Sequence, residues 1–330
     1  MIHAISKIRK ALLYGLLVLV NGLPATVSAQ AYPSAPITLV APFPAGGGTD
    51  GIARAVAQAL SNALGKPVVV ENRPGAAGSI GSVHVVRSKP DGYTLLLGSN
   101  GPIAINPGLD PSLPYDPSRD LKGVGAIASV PFLLGANAKF EANNIGELVK
   151  MAKAEPGKIN FASAGTGTTN HLVGELLKTM TGIDMVHIPY KGVSAAMNDV
   201  AGGVVQLMSG DISTMLPLIQ QGKIKPLAVT GIKRSALIPE VPTIAESGVT
   251  GFEANGWFGL YAPAKTPAKV VQTLETAMTK VIADKGVIER VQSLGGTILP
   301  LSGKAFDDFS AKERNKWKQV IDAHQLVKSQ

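Results

Sequence analysis

The residues best placed to do chemistry are Gly46, Gly47, Gly48, Thr49 and Asp50, which follow Phe43-Pro44-Ala45 and open an amphipathic run. Ile37 to Phe43 is apolar and predicts a buried strand. Ile52, Val56, Leu60 and Leu64 recur on one helical face before Gly65-Lys66-Pro67 stops the run. Glycines let the backbone take positive φ and leave no side chain between it and a ligand. Thr49 or Asp50 is expected to cap the helix, whose first-turn N–H groups and partial positive charge suit a small anion. A second loop of the same kind stands at Ser163-Ala164-Gly165-Thr166-Gly167-Thr168-Thr169-Asn170-His171. It too follows an apolar strand, and it precedes a helix carrying Leu172, Leu176 and Met180 that ends at Gly182. Two such loops point to one ligand held from two sides.

Neither loop contains Lys or Arg, so anion binding would rest on backbone N–H groups and on the hydroxyls of Thr49, Ser163, Thr166, Thr168 and Thr169. Hydrogen bonds to a charged group contribute roughly 1.5–3 kcal/mol each. Four or five of them, less the cost of ordering, give a micromolar constant, about 8 kcal/mol. Such binding suits a carrier better than an enzyme. Asp50 is either a first-turn acid that favours the helix or a receiver of an amine or hydroxyl, and Asp211 either caps the next helix or reads a polar group. His171 is packing or contact; Tyr190, Phe43 and Trp257 are core or pocket wall. Ser99 and Asn100 end a strand of the kind whose carboxyl ends bind ligands in parallel sheets, or else form a turn.

Other chemistries find no support. Gly46, Gly48 and Gly51 match G-x-G-x-x-G, with Glu71 about 20 residues on as in a dinucleotide fold. The recurrence of the loop at 165–170, the stiffening Pro42 and Pro44, and an address outside the cytoplasm count against that reading. No Gly-Lys-Ser/Thr follows for a P-loop, and no G-x-S-x-G supplies a nucleophile elbow. The chain has no cysteine and five scattered histidines, so thiol chemistry is excluded and a metal site is not expected. No nucleophile–base pair can be named, so the expectation is a protein that is not an enzyme and needs no cofactor.

The elements that must position the loops can be followed along the chain. Residues 1–29 have a basic start (Lys7, Arg9, Lys10), an apolar run and Val27-Ser28-Ala29, the pattern of a cleavable signal peptide. The chain's 330 residues are 45% hydrophobic and 16% charged, enough for two folded lobes. Without the leader, 28 basic residues face 23 acidic ones, a net +5 that fits an anionic ligand, and no basic block suggests nucleic acid. The first lobe reads βαβαβ through Val68–Glu71 and Tyr93–Gly98, with continuous apolar strands typical of parallel sheets. Residues 101–120 read as an irregular connection. Gly123 to Asn137 is long for one strand and is expected to cross between lobes. Strands are further expected at Met185–Pro189, Val204–Met208 and Pro226–Thr230. A short capped helix is expected at Val241–Gly248, and Pro217 should interrupt its helix. Trp257–Ala262 should return to the first lobe. The final helix carries Phe306, Phe309, Trp317 and Ile321 on its buried side against a polar stripe of Lys312, Glu313, Lys316 and Lys318. The plan is two α/β lobes, one made from both chain ends, joined by two crossing strands.

Together the motifs resemble one family. Tyr32-Pro-Ser-Ala-Pro-Ile-Thr, Pro42-Phe-Pro-Ala-Gly-Gly-Gly-Thr-Asp50, Val70-Glu-Asn-Arg-Pro-Gly75 and Pro90-Asp-Gly-Tyr-Thr94 are similar to the substrate-binding proteins of tripartite tricarboxylate transporters, the Bug receptors. Ala162-Ser-Ala-Gly-Thr-Gly167, His187-Ile-Pro-Tyr-Lys-Gly192, Val241-Pro-Thr-Ile-Ala-Glu246 and Trp257-Phe-Gly259 agree. The resemblance spans essentially the whole chain after the leader. It implies a two-lobe α/β periplasmic binding protein of the Venus-flytrap, type II-like kind, with parallel-rich sheets and flanking helices. The lobes would be 30–132 with 254–330, and 133–253. It also implies a small carboxylate ligand (di- or tricarboxylate, aromatic acid or amino acid) held between loops 43–50 and 163–171. The protein would be a monomer that hands its ligand to integral membrane transporter subunits. A sensory protein docking to a receptor kinase, or an enzyme on the same scaffold, are the alternatives. Met208-Ser-Gly-Asp211 and Asn170 depart from the family pattern near the pocket, so the resemblance does not carry ligand identity.

Overall fold

A computed structural model describes residues 32–327, and the leader assigned to 1–29 lies outside the described residues. The chain opens with β1 (Ile37–Ala41), α1 (Gly48–Leu64), β2 (Val68–Asn72), α2 (Ser79–Val86) and β3 (Thr94–Ser99). A π-helical turn (Gly101–Ile105) and two single-turn helices, α3 (Asn106–Leu109) and α4 (Pro117–Asp120), give the expected irregular connection some local order. Then comes β4 (Leu121–Val130), and after Pro131 alone, β5 (Phe132–Asn137). Proline cannot donate a ladder hydrogen bond, so the long apolar run breaks there into two strands that serve different sheets.

The middle of the chain builds α5 (Ile145–Ala154), β6 (Asn160–Ser163), α6 (Thr169–Thr181), β7 (Val186–Pro189), α7 (Val193–Gly202), β8 (Leu207–Asp211), α8 (Ile212–Gln220) and β9 (Ile224–Val229). The return segment gives β10 (Gly256–Pro263), α9 (Ala268–Val281), α10 (Lys285–Gln292), β11 (Thr297–Ile298) and the long α11 (Gly303–Ala323). Six strands form one sheet in the order β11-β4-β10-β3-β1-β2, and five form the other in the order β7-β6-β8-β5-β9.

The sheets are mixed. Parallel pairing is confined to β2-β1-β3 and β7-β6-β8, while every pairing of β4, β5, β9, β10 and β11 is antiparallel. The parallel-rich expectation thus narrows to the strands that carry the glycine loops, because the crossing strands enter each sheet in the opposite sense. Among the parallel strands, β3 reads as a continuous apolar run because both its faces are covered: Leu95, Leu96 and Leu97 are all fully buried. Helices α9 and α10 pack on α1, and α11 packs on β4, on the 101–105 turn and on α6.

Several local expectations are corrected. Val241–Gly248 forms turns and no helix. Thr243 and Glu246 do exchange the two capping-box bonds, at 2.9 and 2.8 Å, but Gly248 turns to φ +102° before a second turn can form. β8 starts at Leu207, three residues later than its apolar run. Pro217, the sixth of the nine residues of α8, lies inside the helix without interrupting it, at the loss of one backbone donor. Glu313, assigned to the polar stripe of α11, is buried.

Candidate functional site

The first loop is built around Asp50. Gly47 is the N-cap of α1 and no side chain caps the helix, so neither Thr49 nor Asp50 takes that role. Instead the buried carboxylate of Asp50 reaches back across the loop. Its Oδ2 accepts from the Gly46 amide and from Arg54 Nε, both at 2.9 Å, and its Oδ1 accepts from Asn72 Nδ2 at 2.9 Å. The Asn72 amide also donates to the Phe43 carbonyl at 3.1 Å, which ties both ends of the loop to the end of β2. The Arg54 hydrogen bond, then that of Gly46, hold the Asp50 carboxyl down at about 2. Of the three glycines only Gly46 needs positive φ, at +86°. Ala45, Gly46, Gly47 and Gly48 are exposed, Phe43 and Thr49 half-buried. The amides of Gly48, Thr49 and Asp50 make no hydrogen bond among the described residues.

The second loop is held from within. Thr168 is the N-cap of α6, accepting from the His171 amide at 3.3 Å and donating to the Gly165 carbonyl at 2.7 Å. Ser163 Oγ accepts from the Gly165 amide at 3.1 Å and lies 2.7 Å from His187 Nε2. Asn170 Nδ2 donates to the Ser209 carbonyl at 3.0 Å, joining the start of α6 to β8. The His171 ring is buried and accepts from the Gly167 amide through Nδ1 at 3.2 Å. Tyr190 donates its hydroxyl to Asp199 at 2.7 Å; its burial, then that bond, push its pKa up to about 12. What remains open is the hydroxyl of exposed Thr166, half-buried Ala164 and Thr169, and the amides of Thr166, Thr169 and Asn170, which have no partner among the described residues.

The register of the crossing strands brings the two sets of strand ends together. Ser99, the last residue of β3, pairs with Phe258, and Val130, the last of β4, pairs with Gly256. Asp211, the last of β8, pairs with Phe132, one residue beyond Pro131. The carboxyl ends of β3 and β8 therefore converge on the crossing, with the loop-bearing strands β1 and β6 as their neighbours. Thr230 and Asn255 knit this junction. Thr230 Oγ1 accepts from the Phe132 amide at 2.8 Å, while Asn255 donates to Ser129 Oγ and accepts through its carbonyl from Asn100 Nδ2, both at 2.9 Å. Asn100 Oδ1 in turn accepts from the Trp257 amide at 3.0 Å.

Polar groups are left over at this junction. The buried hydroxyls of Ser99 and Ser209 have no hydrogen-bond partner among the described residues, which is uncommon for buried polar atoms. Asp211 is the N-cap residue of α8, yet its side chain accepts no helix amide, and burial pushes its carboxyl above the usual range. Of the sequence-derived candidates, then, Ser99 and Asp211 stand at the convergence. Ser163, Thr168, Asn170 and His171 are engaged in shaping their own loop. Trp257 is buried in the core. Sequence reasoning missed Arg54 and Asn72, which clamp Asp50, and Leu294, whose methyls lie 3.6 and 3.7 Å from a β-carbon placed at Gly48. It also missed His187. The Asp50–Arg54 spacing of four was a readable signal; the partner 22 residues away was not.

His187 makes the second loop sensitive to acid. Burial first, then the His171 ring stacked at 3.8 Å, hold its imidazole down at about 4. An unfolded histidine titrates near 6.5, so the unfolded chain takes up a proton that the fold refuses. Stability is complete above about pH 6.5 and is lost as pH falls to about 4, by about 2–3 kcal/mol. Thermal melts across that window should slope steeply, and His187→Gln should flatten the slope. An unchanged slope in the variant would assign the acid sensitivity to other groups.

The sequence pattern of the tripartite tricarboxylate transporter family receptors matches residues 52–326. Protein BugT of Bordetella pertussis (strain Tohama I) is 38% identical over 308 residues, which is 93% of this chain and 94% of that one. Among solved structures, Rpa4515 of R. palustris with adipate is 34% identical at a TM-score of 0.77, covering 88% of this chain and 97% of that one. MatC from Rhodopseudomonas palustris with bound malate is 29% identical at a TM-score of 0.74, covering 88% and all (100%) of that chain. The two-lobe α/β architecture is thus that of a known group of solute-binding proteins, and the chain belongs to the tripartite tricarboxylate transporter receptor family.

Proposed function

We propose that this receptor works in the periplasm, after loss of residues 1–29, and holds a small dicarboxylate between its two glycine loops for delivery to integral membrane transporter subunits. One lobe would comprise 30–132 with 254–330 and the other 133–253. The observation that carries the reading is the first turn of α1. Its three open amides stand on a loop whose one acid, Asp50, is already fully committed to Gly46, Arg54 and Asn72. A helix start with free N–H groups and a neutralised acid favours an anion. The open amides of Thr166, Thr169 and Asn170 offer the same to a second carboxylate oxygen. The unpartnered hydroxyls of Ser99 and Ser209 add donors where the strand ends converge. Asp211 would take a hydroxyl or amine hydrogen of the solute. That relatives carry adipate and malate supports two carboxylates on a short chain. The lobes would close because the solute adds contacts from the second lobe and so favours the closed form.

A thermal-shift screen of carboxylic acids, including malate and adipate, tests this. A bound acid at 100 times its dissociation constant should stabilise the fold by about 2.7 kcal/mol and raise Tm by several degrees. No shift with any di- or tricarboxylate would refute the reading. With a hit in hand, Thr49→Val should weaken binding about tenfold while leaving Tm unchanged, because the Thr49 hydroxyl has no hydrogen-bond partner among the described residues. Equal affinity would remove that hydroxyl from the site.

A further inference from the structure

A chain of polar groups, buried at His171 and Glu175, runs from the second glycine loop to the C-terminal helix. The Gly167 amide donates to Nδ1 of His171 at 3.2 Å. A ring nitrogen that accepts a backbone hydrogen carries none of its own, so the neutral ring has its proton on Nε2. That nitrogen lies 3.5 Å from Oε1 of Glu175, one helical turn further along α6. Glu175 is only 2% exposed, and its other oxygen lies 3.0 Å from Lys178 Nζ and 3.3 Å from His324 Nδ1. Burial works against its charge, yet His171 and Lys178 beside it still bring its carboxyl below the usual range, although Oε2 makes no hydrogen bond among the described residues. His324 follows α11 directly, and its Nε2 is 2.7 Å from the Thr179 hydroxyl.

Apolar contacts reach the same loop. Gly167 sits at φ +81°, and a β-carbon there would come within 2.6 Å of Leu109 Cδ1. The neighbouring Gly108 is backed in the same way by Ile321 of α11, at 2.9 Å. The end of α11 therefore bears on both sides of the loop, through Gly108 and Leu109 and through His324 and Glu175. The imidazole is held flat as well, stacked on His187 at 3.8 Å and lying parallel to Phe161 at 6.2 Å. At 2% exposure His171 has almost no surface to offer a solute.

We propose that His171 is the positioning residue of the second glycine loop, and that Glu175 and His324 lock its tautomer and so tie the loop to the C-terminal helix. The proposal rests on the reading that this loop carries the solute, but it concerns the loop's shape, which can be measured without solute. The Gly167 peptide, pinned through its N–H, sets the direction of the open Thr166 amide before it and of the α6 start after it. Sequence singles out His171 but not His324, since Gly167 and His324 lie far apart along the chain.

The test uses the full mature chain without solute. Long-range nitrogen–proton spectra of histidine-labelled protein should show His171 with hydrogen on Nε2 and a bare Nδ1. Asparagine places an acceptor where Nδ1 stands, and glutamine does not. His171→Asn should keep Gly167 amide exchange within about threefold of wild type, and His171→Gln should speed it about tenfold, the equivalent of one net hydrogen bond. His324→Ala, at a half-buried position outside the α6 core, should speed it several-fold while leaving exchange in β6 unchanged; it keeps the test open if His171→Gln does not fold. Hydrogen on Nδ1, or equal exchange in the Asn and Gln variants, would overturn the proposal. A failure of the carboxylate reading would leave these exchange rates as expected, whereas a failure here would leave solute binding in the wild type intact.

Discussion

Replacing Asp50 by asparagine is expected to damage the protein as much as replacing it by alanine, lowering Tm by about 6 °C in each case. The reason lies in the chemistry of its three partners. The Gly46 amide, Arg54 Nε and Asn72 Nδ2 are all donors, and they converge on both carboxylate oxygens. An asparagine turned either way must aim its own NH2 at a donor, so only an ionised carboxylate satisfies the site. Losing these three hydrogen bonds to a buried carboxylate costs about 3 kcal/mol in total, and a domain of this size loses about 2 °C per kcal/mol. Asp50→Asn melting within a degree of wild type would show that the clamp carries no load.

The same clamp gives an acid limb at lower pH than that of His187. The folded carboxyl titrates at about 2, below its unfolded value near 3.8, so its contribution is complete above about pH 4 and disappears as pH falls towards 2. Binding should suffer in the variants too, although a negative charge has left an anion site. Arg54 already offsets that charge at the surface, so its removal favours an anion by about 1 kcal/mol at most. Against this, each loop residue released from the clamp must be ordered again on binding, at about 1–2 kcal/mol. The second effect wins, and affinity should fall at least tenfold.

Much of this was legible before any coordinates. The glycine loops lie between apolar strands and helices whose buried faces recur at helical spacing, and both signals are local. The length of the apolar run from Gly123 to Asn137 points to a crossing without singling out Pro131, where the run breaks because proline cannot sit in a central ladder. What escaped the sequence is what depends on distant partners. Asp50 has the composition of a cap, but Asn72 and the Gly46 amide draw its carboxylate back across the loop, leaving the α1 start open. Val241–Gly248 has the right residues for a helix start, and tertiary pairing of Thr243 with Val229 keeps it as a turn. Glu313 follows Lys312 directly and stands one helical turn before Lys316, and nothing local reveals that two indoles require it inside. His171 and His187 were visible as residues, but their stacking joins α6 to β7.

Trp257→Ala should produce the largest loss of stability, about 4 kcal/mol, as expected for a fully buried indole. Trp257 is 2% exposed and stands edge-on to Phe306 and Phe309, with ring centroids 6.2 and 5.4 Å away. Its Nε1 donates to Oε2 of Glu313 at 3.2 Å, and the Trp317 indole donates to the same oxygen at 3.2 Å. Lys316 holds the other carboxylate oxygen. Two indoles from different elements thus share one acceptor, which fastens α11 to the first residues of β10 beside the crossing. Glu313→Leu should therefore cost about 3 kcal/mol by stranding both indole hydrogens, whereas Glu313→Gln keeps a carbonyl oxygen for them and should cost about 1 kcal/mol. Combining Trp257→Phe with Glu313→Leu should cost less than the sum of the single changes, since one stranded donor is then gone. Strict additivity in that cycle would mean that the two side chains stabilise the fold independently, and the shared acceptor would not be what holds the C-terminal helix against the first sheet.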